Sequence, residues 1–169
     1  MRHLILSLTL MSGLIAADHD YNMDVDVLAF GISHHFQNTD NYKFKEFNPG
    51  LGLALWGNFN ERDATVINSI GVVLAEYNNS YNSRSVVKAM CGKLQVGKTE
   101  NIHCGLIYGL GNVSGYDETE EGSLSPIGAV SVGYKWVNLD MTYTPRMPSK
   151  SLVTSAAVAV WLRFNVYKF

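Results

Sequence analysis

Cysteine, proline and positive charge are all scarce in this 169-residue chain, and each scarcity removes a class of protein. Two cysteines are too few for the multi-bridge framework of a disulfide scaffold or a four-cysteine metal site. Four prolines in a chain that is 47% hydrophobic and 11% aromatic do not describe a disordered segment, because this composition buries enough surface to offset chain entropy. Thirteen Lys and Arg against 15 Asp and Glu give a net charge of -2 and no basic face for a row of phosphates, which excludes nucleic acid as a partner. A long apolar run is missing as well. The stretch from Leu4 to Ile15 is roughly a dozen residues, short of the ~20 that a spanning helix needs. If the chain enters a membrane, it enters as strands.

The N-terminus sets the compartment. Arg2 and His3 precede the apolar run, which closes on Ala16-Ala17 before an acidic Asp18-His19-Asp20. That order is the pattern of a secretory signal peptide. Residues 1–17 are expected to be the signal and residues 18–169 a single exported domain.

What is present is period-two alternation. Leu51, Leu53 and Leu55 share one face of a run, and Val137, Leu139, Met141 and Tyr143 share one face of another. Ile102, Cys104, Leu106, Tyr108 and Leu110 alternate with His103, Gly105, Ile107, Gly109 and Gly111, and Val158, Val160, Leu162 and Phe164 with Ala157, Ala159, Trp161 and Arg163. Breakers between such runs divide the chain into eight strands near 24–36, 48–59, 64–78, 85–96, 102–114, 124–134, 137–145 and 153–165. Connections 37–47, 79–84, 115–123 and 146–152 are long, and the three between them are tight. Short inner turns, longer outer loops and a terminal aromatic, Phe169, fit an all-β, eight-stranded antiparallel up-and-down transmembrane barrel of the outer membrane.

Smaller signals are bland. Cys91 and Cys104 fall on the fourth and fifth strands and are read as unbonded apolar fillers. His34 and His35 are adjacent and point to opposite faces, so they cannot chelate together, and no metal-ligand spacing occurs elsewhere. Gly109-Leu110-Gly111 lies in a strand with no helix after it, which excludes a phosphate loop.

The first and third strands hold the candidate chemistry. If Leu28, Phe30 and Ile32 face lipid, then Ala29, Gly31, Ser33 and His35 face the lumen, with open volume beneath His35. The third strand rises to the same rim and ends in Glu76-Tyr77-Asn78-Asn79-Ser80. A histidine and a serine at one rim are the minimum for a base-activated hydroxyl. Glu76 is expected to share a face with Asn78 and Ser80.

In these segments the chain resembles the lipid A palmitoyltransferase (PagP) family of outer-membrane barrels. The match comprises Ile32-Ser33-His34-His35, Glu46-Phe47-Asn48-Pro49, Gly50-Leu51-Gly52-Leu53, Asn79-Ser80 where the family has Asp-Ser, Pro126, Val132-Gly133-Tyr134, Met141-Thr142-Tyr143-Thr144-Pro145 and Trp161-Leu162-Arg163-Phe164. The resemblance implies a monomer that moves a fatty acyl chain from a phospholipid donor to lipid A, without metal or soluble cofactor. His35 would be the general base, Ser80 the hydroxyl partner and Asn79 the stand-in for the family's carboxylate, so that Asn79→Asp would raise activity. Cys91 would lie near the floor of an acyl-chain well and shorten it. The alternatives are a non-catalytic structural or surface-binding barrel, and a deacylase that hands the acyl group to water.

Overall fold

The computed structural model describes residues 22–36, 44–59, 65–115, 122–144 and 156–168. Eight antiparallel strands follow one another around a closed barrel: β1 (Asn22–His35), β2 (Phe47–Asn58), β3 (Val66–Asn78), β4 (Arg84–Val96), β5 (Ile102–Val113), β6 (Ser123–Tyr134), β7 (Val137–Thr144) and β8 (Ala157–Lys168). β8 pairs with β1 and closes the ring, so neither terminal strand is left as a free edge. The expected order and number of strands hold. The last strand starts later and runs further than its sequence pattern, from Ala157 to Lys168. The expected signal, Pro145 and Phe169 lie outside the described residues.

The alternation of side chains is inside out relative to a water-soluble protein. On β2, Leu51 is 69% exposed while Trp56 is 1% exposed. Leu74, Met90, Leu110, Val132, Leu139 and Leu162 also point outward and are exposed. Apolar surface of this extent is stable against lipid, not water. Phe59, Tyr134, Trp136 and Tyr167 collect at the end with the tight turns, and Phe36, Phe47 and Tyr143 at the other, as interfacial girdles do.

Two irregularities shape the lumen. On β1 the register shifts between Phe30 and Ile32 against both β2 and β8, the mark of a bulge. Below it Asp26 and Leu28 are buried, and above it Ser33 is buried while Ile32 and His34 are exposed. The expected inward set is therefore right above the bulge and inverted below it, because one extra residue reverses the phase of alternation. Leu28, not Ala29, enters the core. The second irregularity is in β6. Its ladder with β7 covers Val130–Tyr134 only, so among the described residues Ser123–Ala129 have no ladder partner on that side. One side-chain bond, Thr142 Oγ1 to the Gly128 carbonyl at 2.5 Å, crosses the gap.

Mid-lumen, Leu28, Ala54, Trp56, Ala89, Cys91, Ile107 and Ala129 form an apolar cluster, with Val73, Val87, Ile127 and Trp161 packed against it. This cluster occupies the level where open volume was expected. Trp56 lies across Gly71, where a Cβ would meet the indole Cε3 at 2.6 Å, so only glycine admits the ring. Toward the inner end the lumen is ionic. Arg163 donates to Asp140 (Nε to Oδ2, 2.7 Å), to Asp26 (Nη1 to Oδ2, 2.7 Å) and to Ser131 (3.2 Å). Asn165 and Trp56 donate to the two Asp26 oxygens at 2.9 and 2.8 Å. Lys93 sits 4.7 Å over the Trp56 ring.

Candidate active site

β1 delivers two adjacent histidines to the outer rim with opposite orientations. His34 is exposed and pairs with Glu46 (Nδ1 to Oε1, 3.0 Å). His35, brought inward by the bulge, is half-buried. Adjacent residues on a strand must diverge in this way, and the bulge decides which of the two faces the lumen.

β3 ends at Asn78, and a tight loop carries Ser80 to the same place. The loop is organised by Asn79, which is 1% exposed. Its Oδ1 accepts from the Tyr81 and Ser83 amides at 2.9 and 3.0 Å, and its Nδ2 donates to Ser85 Oγ at 2.9 Å and to the Gly115 carbonyl at 2.7 Å. Asn82 adopts φ 62°, a left-handed position that asparagine tolerates. Because the chain has left the strand, Ser80 does not share a face with Glu76. Ser80 is buried, whereas Glu76 is exposed and pairs with Arg84 on the exterior.

Ser80 Oγ lies 2.8 Å from His35 Nε2 and 3.1 Å from Ser33 Oγ. Ser33 in turn accepts from Asn48 Nδ2 at 2.5 Å. The segment ahead of β2 ties these elements together. The Ser33 amide donates to the Glu46 carbonyl at 2.7 Å, and the Lys45 amide to the Ser80 carbonyl at 3.0 Å. That crossing lays Phe44 flat on His35, with ring centroids 4.1 Å apart and planes 7° apart, and Tyr81 meets Phe44 edge-on at 5.4 Å. Stacking holds the imidazole plane. Its Nδ1 has no hydrogen-bond partner among the described residues, nor has Asn48 Oδ1.

Of the three catalytic residues expected from sequence, the structure brings His35 and Ser80 together. It places Asn79 beside the pair in sequence but gives its amide wholly to the loop. Asn79 therefore shapes the backbone that presents Ser80. An aspartate there would lose both donated bonds and face the Gly115 carbonyl, so the expected gain for Asn79→Asp has no geometric basis. Three residues of the site carried no role in the sequence reading: Phe44, Ser33 and Asn48. The Asn48-Pro49-Gly50 string was visible, but nothing local says that Asn48 meets Ser33 across the β1–β2 connection. Cys91 is buried and Cys104 exposed, both free, so the two lie on opposite faces and do not bridge. Among the described residues no three His, Cys, Asp or Glu side chains converge as a metal site.

No protein-family model and no curated protein matches this chain. Solved structures that share its eight-stranded plan include the Yersinia pestis outer membrane protein Ail in a phospholipid bilayer nanodisc, at 11% identity over 83% of this chain and 99% of that one, with a TM-score of 0.40. A crystal structure of Ail, the attachment invasion locus protein of Yersinia pestis, in complex with the heparin analogue sucrose octasulfate is similar at 13% identity, covering 89% of this chain and 100% of that one, with a TM-score of 0.37.

Proposed function

We propose that this chain is an outer-membrane barrel that cleaves an acyl ester of an outer-leaflet lipid at its outer rim. One observation carries the reading: Ser80 Oγ and His35 Nε2, 45 residues apart in sequence, meet at 2.8 Å at the outer end of the barrel. In this scheme Ser80 Oγ attacks the ester carbonyl and its proton passes to His35 Nε2. The same proton then leaves with the departing alcohol, and the acyl group stays on Ser80. Water, deprotonated by His35, attacks the acyl-serine and returns the free acid.

Two features support a lipid substrate and water as acceptor. Among the described residues Ser123–Ala129 of β6 have no ladder partner toward β7, and a seam of that kind would give an acyl chain a lateral approach from the leaflet. Leu28, Trp56 and their neighbours occupy the level below the rim, which weighs against a chain threaded deep into the lumen as palmitoyl transfer to lipid A would use it.

A second reading, a structural or surface-binding barrel without chemistry, is favoured by His35 Nδ1, which has no hydrogen-bond partner among the described residues. In the serine-protease triad, losing the aspartate function at that nitrogen costs about 10⁴ in turnover.

Mass spectrometry of lipid A and phospholipids from outer membranes carrying the wild-type chain or Ser80→Ala separates these readings. Loss of an acyl group in wild type only is the expected result. A gained acyl mass on lipid A would make lipid A the acceptor and the protein a transferase. Identical spectra with folded barrel present would leave the non-catalytic reading standing.

A further inference from the structure

We infer that Ser33 and Asn48 are positioning residues that aim the Ser80 proton at His35, a role that in a triad falls to a carboxylate acting on the histidine. The inference rests on the reading of Ser80 and His35 as a reacting pair. It is argued from one buried chain of contacts that starts at a fixed donor. The Asn48 amide nitrogen is donor-only, and it gives its hydrogen to Ser33 Oγ at 2.5 Å. The relay has Ser33 Oγ direct its own hydrogen along the 3.1 Å contact to Ser80 Oγ, a contact in which either hydroxyl can donate. It has Ser80 Oγ direct its hydrogen along the 2.8 Å contact to His35 Nε2, the direction that belongs to the imidazole tautomer protonated on Nδ1. Ser33, Asn48 and Ser80 are buried at 5%, 7% and 7% exposure, so water does not readily replace any link.

The direction of this chain matters. Donation into Ser80 from behind stabilises the negative charge that grows on its oxygen once the proton moves to His35, and charge-assisted donation of this kind is stronger than a neutral bond. Among the described residues no hydrogen bond reaches the imidazole at its far nitrogen, Nδ1. The sequence positions involved come from three strands or their ends: Ser33 from β1, Asn48 from β2 and Ser80 from the loop after β3. The bulge in β1 places Ser33 and His35 on the lumen side together, so it sets two of the four members of the relay.

The test reads Ser80 reactivity directly, without the natural substrate. A fluorophosphonate phosphonylates an activated serine: the Ser80 oxygen bonds to phosphorus, fluoride leaves and the proton goes to His35. Full-length protein in outer-membrane vesicles is labelled across a pH series, with Ser80→Ala as the blank and His34→Ala as an unaffected control. Ser33→Ala and Asn48→Asp, the latter an acceptor where a donor is needed, are expected to lower the labelling plateau by about tenfold. The pH midpoint should stay in place, because His35 keeps its own surroundings. Ser33→Thr, which restores the hydroxyl, should recover the plateau. Wild-type labelling with unchanged plateaus in Ser33→Ala and Asn48→Asp would overturn the relay and leave the Ser80–His35 pair standing. A moved midpoint, or no recovery in a folded Ser33→Thr barrel, would also overturn it. Absence of labelling in the folded wild type would overturn the reacting pair and the relay together.

Discussion

At the inner end of the lumen Asp26, Asp140 and Arg163 saturate one another, with Asn165, Trp56 and Ser131 taking the remaining contacts. At the outer rim the polar groups are uncharged hydroxyls and an amide, and two buried atoms, His35 Nδ1 and Asn48 Oδ1, are left over. Asp24 Oδ1, at the margin of the inner cluster, has no hydrogen-bond partner among the described residues either, so the contrast lies between the Asp26–Asp140–Arg163 core and the rim. A saturated ionic cluster holds strands in register and has no valence left for a ligand. Leftover hydrogen-bonding capacity at an open rim is what a site that meets substrate retains. The two ends should therefore fail differently: changes at the rim remove reactivity from a stable barrel, and changes at the inner end remove stability from a barrel that still reacts when folded.

The largest effect is expected from His35→Ala. Removing the base should lower Ser80 phosphonylation by about 10²- to 10⁴-fold, the usual share of general base catalysis, with the urea midpoint of the barrel in lipid vesicles within error of wild type. A large loss of stability alongside would mean that the rim is structural after all, and the contrast between the ends would collapse.

Next comes Arg163→Ala, which leaves two fully buried carboxylates, Asp26 and Asp140, without their cation. Breaking a buried pair in this way costs about 3–5 kcal/mol. Urea unfolding followed by tryptophan fluorescence should show that loss, while Ser80 labelling per folded molecule holds. A tenfold drop in labelling per folded molecule would show that the ends are coupled through the apolar middle.

Much of this architecture was legible in the sequence, and the part that was not has a physical reason. Strand order and the lipid-facing sets of β2, β5, β7 and β8 follow from strict alternation, since a two-residue period leaves no freedom of assignment. β1 resisted, because a bulge changes phase without changing composition, and Leu28 was assigned outward for that reason. The pairing of His35 with Ser80 could be anticipated from strand direction and from the resemblance. The roles of Phe44, Ser33 and Asn48 could not, because they depend on a crossing of two outer loops that carries no local pattern. The inner network was equally hidden: Asp26, Asp140 and Arg163 lie far apart along the chain, and only barrel closure brings β1, β7 and β8 together.

Asn79→Asp sharpens the comparison at the rim itself. The side chain would exchange two donated bonds, to Ser85 Oγ and the Gly115 carbonyl, for carboxylate oxygens that cannot donate, a loss of roughly 2–3 kcal/mol confined to the loop. Ser80 labelling should fall with it, and hydrogen exchange at Tyr81 and Ser83 should quicken. Faster labelling than wild type would show instead that a carboxylate at this position reaches His35, and would return Asn79 to the catalytic group.

The smallest effect belongs to the nearest neighbour. His34→Ala removes an exposed ring and its contact with Glu46, where both partners are more than half exposed. A surface pair of this kind contributes about 0–1 kcal/mol, so stability and labelling should both be close to wild type. The near-silence of His34 is the counterpart of the loss at His35. Deleting Gly31 would remove the extra residue and join the two inward sets, Asp26 and Leu28 below and Ser33 and His35 above, into one alternation, so His35 should stay in the lumen and labelling should survive. If that deletion abolishes labelling, the bulge also fixes the height of His35 against Ser80 and not only the face on which it lies.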